Sequence, residues 1–133
     1  MNPSPALYYP AAESAQICRT PWTPNAGLLE ALSGDDEALT ELIDAFKTDT
    51  ETRLQRIRAA LEIADVARLR SEAHTITGSA RQIGAEALAE VCQQIALASA
   101  LTPLSRFSGL VLRMQELFGD VACAMASYRS FRG

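Results

Sequence analysis

From Val66 to Ile83 the apolar positions are Val66, Leu69, Ala73, Ile76, Ala80 and Ile83, alternately three and four residues apart. That spacing keeps them on one face of an α-helix. A comparable stripe, Leu39, Leu42, Ile43, Phe46, Leu54, Ile57 and Leu61, predicts a helix over about 36–61. Leu104, Phe107, Val111, Met114, Phe118, Val121, Met125 and Tyr128 predict another, and Leu88, Val91, Cys92 and Ile95 a shorter one between. No stretch alternates apolar and polar residues in the manner of a strand.

The residues between the stripes are helix stops and starts. Asp35 and Asp65 suit N-caps, and Gly34 and Gly84 suit the residue just past a helix end. Thr102-Pro103 reads as a cap followed by a first-turn proline. Thr23 and Pro24 repeat that pattern ahead of a short helix over about 24–32, whose apolar residues are Leu28, Leu29 and Leu32. Short loops between long amphipathic helices favour antiparallel neighbours. The expected fold is therefore all-α: an antiparallel up-down four-helix bundle with a short additional N-terminal helix. Residues 1–25 hold five of the six prolines and read as a flexible proline-rich tail or interdomain linker, with the bundle over 26–133.

Charge and cysteine content narrow the partners. Twelve basic and sixteen acidic residues give a net charge of -4, with no basic block. Nucleic acid is not an expected partner. No apolar run approaches the roughly 18 residues of a spanning helix, and MNPSPALYYP lacks the features of a secretory signal. No direct membrane contact is expected of this segment. Cys18, Cys92 and Cys123 are far apart, form no CxxC and have one histidine between them, so no metal site is expected. Reduced thiols are the expectation, with Cys92 acting as a small core hydrophobe.

That one histidine is the candidate for chemistry. His74 follows the core residue Ala73 by one position, a step of about 100° off the buried stripe. Its own face carries Ala67, Arg70, Ser71, Thr77, Gly78 and Arg81. A lone off-core histidine is ordinarily a surface residue with no role. Gly78 argues otherwise, because a glycine within a helix costs about 1 kcal/mol relative to alanine. Helical side chains lean toward the N-terminus, so any side chain at 78 would lie over the imidazole. An uncovered neutral imidazole on a rigid surface suits nucleophilic capture of a phosphoryl group. The chain has no nucleotide loop or metal site of its own, so a partner must supply the rest.

The stretch AHTITGSARQIGAEALAEVC, residues 73–92, together with the upstream GDDEALTELIDAF, resembles histidine-phosphotransfer (HPt) domains of bacterial multistep phosphorelays. Matching positions are Ala73, His74, Gly78, Ser79, Ala80, Gly84, Leu88 and Cys92, and the likeness covers about residues 26–130. The resemblance implies a phosphorylated His74, response-regulator receiver domains as partners, no cofactor of its own, and Mg2+ on the receiver. It implies a cytoplasmic protein, or the cytoplasmic part of a membrane-bound hybrid sensor kinase. The family usually has lysine three residues after the histidine; here that position is Thr77. Arg81 and Arg70 are the substitutes at hand, with Thr77 and Gly78 also beside the phosphate. The expected function is that of a phosphocarrier moving a phosphoryl group between receiver aspartates, without a self-contained active site. The competing reading is a helical docking or dimerisation module with little or no phosphotransfer.

Overall fold

The computed structural model describes residues 22–24, 26–33 and 35–132. Among these residues five helices follow in order: α1 (Ala26–Ala31), α2 (Asp36–Glu62), α3 (Val66–Gln82), α4 (Glu86–Ala96) and α5 (Leu104–Arg132). There is no strand among the described residues. α3 packs against both α2 and α4, and α5 closes the bundle against α2 and α4. The all-α bundle expected from the periodicity is the fold observed.

Each junction has a local cause. The Asp35 carboxylate accepts from the backbone N–H groups of Glu37 and Ala38, and Asp65 accepts from that of Arg68. Both therefore satisfy first-turn donors that the helix cannot. At the end of α3, Gly84 sits at φ 85°, with its N–H on the Arg81 carbonyl and the next N–H, of Ala85, on that of Ala80. This is the Schellman pattern, which glycine adopts without a side-chain penalty. α2 ends with the same pair of bonds but places Ala64 at φ 56°, so this stop carries no glycine signature. Gly34 lies outside the described residues; before it, Ser33 takes the left-handed conformation at φ 54°. α1 and α5 begin later than the proline positions suggested, at Ala26 and Leu104.

The core is the predicted set with additions. Leu69, Ala73, Ile76, Ala80 and Ile83 of the α3 stripe are buried, as are Phe107, Val111, Met114, Phe118, Val121 and Met125 of α5. Leu104, expected inside, is exposed. Trp22, ahead of the expected start of the bundle, packs onto it. It is buried, its Nε1–H donates to the Ile83 carbonyl at 2.8 Å, and its ring meets Tyr128 edge-on at 5.6 Å. Trp22 is thus part of the packed core. The remainder of the proline-rich tail, residues 1–21, lies outside the described residues.

The thiols differ from the expectation of three reduced cysteines. Cys92 is free and buried, and its desolvated thiol is pushed up to about 12. Cys123 is disulfide-bonded.

Candidate functional site

The buried stripe on α3 fixes what its other faces present. Because successive residues turn by about 100°, Glu72 and Arg68 fall on the flank toward α2, Arg70, Thr77 and Arg81 on the flank toward α4, and His74 opposite the core. The observed contacts agree with that rotation. Glu72 reaches Arg53 of α2 at 2.8 Å, while Arg70 and Arg81 both reach α4.

His74 is exposed, and its side chain has no hydrogen-bond partner among the described residues. Its surroundings are low. Ala67, Ser71, Thr75 and Gly78 are all exposed and small. The Thr75 hydroxyl donates back to the Ser71 carbonyl, and that of Ser79 to Ile76 and Thr75. These hydroxyls therefore lie against the helix. Apart from the adjacent helix backbone and its two chain neighbours, a Cβ built on Gly78 meets no atom within 4 Å, so no packing contact requires the glycine, and a methyl group there would not yet touch the His74 ring.

Thr77 is not placed as the sequence suggested. It is buried, at 6% exposure, and its hydroxyl donates to the Ala73 carbonyl at 2.9 Å. The reason is geometric: residue 77 lies one turn after Ala73, on the edge of α3 that α4 covers. Back-bonding to the carbonyl four residues earlier is how a helical threonine satisfies a hydroxyl taken from water. Thr77 offers neither charge nor a free polar atom to an incoming phosphoryl group.

The two arginines have different commitments. Arg70 is half-buried, and its Nε donates to the carbonyl of Ala96, the last residue of α4, at 3.3 Å. It therefore serves as a cation at a helix C-terminus. Arg81 is exposed and donates through one terminal nitrogen to Oε1 of Gln93 at 2.6 Å. Its other N–H groups remain available, because a guanidinium has five.

On the opposite flank Glu72 is largely buried and receives Arg53 at 2.8 Å, Arg56 at 3.7 Å and Arg68 at 3.8 Å. Arg53 also pairs with Asp49 at 2.9 Å. The hydrogen bond to Asp49, and then that to Glu72, raises the Arg53 guanidinium above its ordinary value. This cluster fixes α3 against α2 and so fixes the rotation that turns His74 outward. The Asp49–Arg53 and Arg68–Glu72 spacings of four are its signals in the sequence. No group of three or more His, Cys, Asp or Glu that could hold a metal ion occurs among the described residues.

A family model of the Hpt domain matches residues 41–118, more than half of the chain, and this segment contains α3 with His74. The chain belongs to the Hpt-domain family. Hpt domains carry phosphoryl groups on histidine in phosphorelays and interact with receiver domains. Comparison with curated proteins and with solved structures gave no match. Among the described residues of this Hpt domain, no helix is long and apolar enough to cross a membrane.

Proposed function

We propose that His74 is the phosphoacceptor of this Hpt domain, and that the domain takes a phosphoryl group from the aspartate of one receiver and returns it to another. The observation that carries the reading is the pairing of an exposed His74 with open space above Gly78, one turn later on the same face. A ring nitrogen with a free lone pair attacks phosphorus, and the acyl P–O bond of the aspartyl phosphate breaks. The receiver's carboxylate leaves, and the proton on the other ring nitrogen passes to solvent. The reverse step regenerates neutral imidazole. Phosphoryl transfer depends mainly on alignment and on positive charge near the transferred oxygens. The domain supplies the nucleophile and Arg81; the receiver supplies the aspartate, and Mg2+ belongs on that side. The setting proposed with this role is cytoplasmic, either as a separate protein or as the cytoplasmic part of a membrane-bound sensor kinase.

The test is labelling of wild type and His74→Gln by receiver domains charged with a small phosphodonor in Mg2+. Wild type is expected to acquire acid-labile, base-stable label, and the variant none, with an unchanged melting temperature because His74 lies off the core. Equal labelling of the two refutes the assignment. Binding of receivers without any label favours the docking-module reading instead.

A further inference from the structure

The family's lysine position is occupied here by a buried threonine, so some other cation must face the phosphoryl group if His74 accepts one. Arg70 is half-buried against the end of α4. Arg81 is exposed and is caught at 2.6 Å by Gln93 from the neighbouring helix; helical side chains lean toward the N-terminus, which from position 81 is toward residues 77 and 78. Without that contact an exposed arginine has about 2 kcal/mol of rotamer entropy to lose before it can serve one geometry. Gln93 is itself half-buried on α4, so its carbonyl is a fixed acceptor. Its Nε2 group carries two further N–H donors.

We propose that Gln93 is a positioning residue for phosphoryl transfer: it holds the Arg81 guanidinium beside the approach to His74, where that cation takes over the role of the missing lysine. This rests on the reading of His74 as phosphoacceptor. Two features converge on it: the short bond between α3 and α4, and the burial of Thr77. The uncharged glutamine matters, because a carboxylate there would hold the arginine equally well but cancel its charge.

The experiment uses potassium phosphoramidate, which needs no partner protein. The His74 ring nitrogen forms the N–P bond, and the P–N bond of the donor breaks. Ammonia leaves, and the proton lost from the imidazole goes to solvent. The second-order rate constant of labelling is followed for wild type, Arg81→Ala, Gln93→Met and the double variant, at low and high ionic strength, with thermal melts of each. Gln93→Met retains the volume but not the acceptor. At low salt each single variant is expected to label roughly fivefold more slowly, the scale of one partly exposed charge contact. The double variant should be no slower than Arg81→Ala, since the glutamine acts through the arginine. All four rates should converge when salt screens the guanidinium. A purely structural role for Gln93 would move the melts and not the salt dependence. Wild-type labelling by Gln93→Met, or losses that add in the double variant, overturns this proposal while leaving His74 in place. Absence of label on wild type overturns both.

Discussion

Gly78 allows stability and function to be separated at one atom. A Cβ there meets nothing within 4 Å, so Gly78→Ala adds no clash and fills no void. Its whole effect on stability is that of helix propensity, about 1 kcal/mol in favour of alanine. For a bundle of this size that raises the melting temperature by about 3 to 6 °C. The His74 ring is not among atoms within 4 Å of that Cβ, so alanine should leave labelling of His74 near the wild-type rate. Gly78→Gln, whose longer side chain covers the ring, should slow it on the order of tenfold or more, since misplacement by about 1 Å can cost as much as 100-fold. Gly109 of α5 provides the control, being exposed with nothing within 4 Å of its built Cβ. Gly109→Ala should give the same thermal gain and leave transfer unchanged. The assay is a thermal melt and a labelling time course on each variant. If Gly78→Gln melts at or above wild type and still transfers at the wild-type rate, the glycine is not a clearance for phosphate chemistry.

Thr77→Lys places an ammonium where a buried hydroxyl now satisfies the Ala73 carbonyl. It is expected to lower stability by roughly 1–3 kcal/mol in denaturant titrations rather than improve transfer, and a wild-type midpoint would show that the lysine stem reaches water freely. Glu72→Ala leaves Arg53, Arg56 and Arg68 without their shared carboxylate. The expected loss is about 1–3 kcal/mol, between exposed and fully buried pairs, and a change below about 0.5 kcal/mol would refute the clamp. Cys92 ties stability to alkaline pH: its folded thiol stays protonated up to about 12 against 9.0 unperturbed. Above pH 9 the unfolded chain releases a proton that the folded one keeps, so this term lowers stability with rising pH, by up to about 1.4 kcal/mol per unit. Cys92→Ala should flatten that dependence between pH 9 and 11, and an unchanged slope would assign it to another group.

The parts of the fold legible in the sequence were those set by local rules. Asp35, Asp65 and Gly84 mark helix ends through their own backbone chemistry, and the stripe on α3 follows from helical periodicity alone. His74 and Gly78 were legible for the same reason, being one turn apart on one helix. Thr77 was misplaced because its burial depends on how closely α4 covers the edge of α3, which no spacing within α3 encodes. The Arg81–Gln93 contact depends on the register between two helices and on the reach of two long side chains. Trp22 was hidden by its setting, an aromatic among prolines whose partners, Ile83 and Tyr128, are distant in sequence.

Trp22 also has a mechanical consequence. Its indole grips the carbonyl that ends the very helix carrying His74, so the incoming chain is indexed to α3 and not merely tied to the bundle. The chain therefore enters the domain at a point fixed relative to the imidazole. Dissection at residue 26, the boundary the proline content invites, would excise a buried tryptophan and cost about 3–5 kcal/mol, the scale of removing such a ring from a core. A cut upstream of Trp22 keeps that anchor and the orientation it sets.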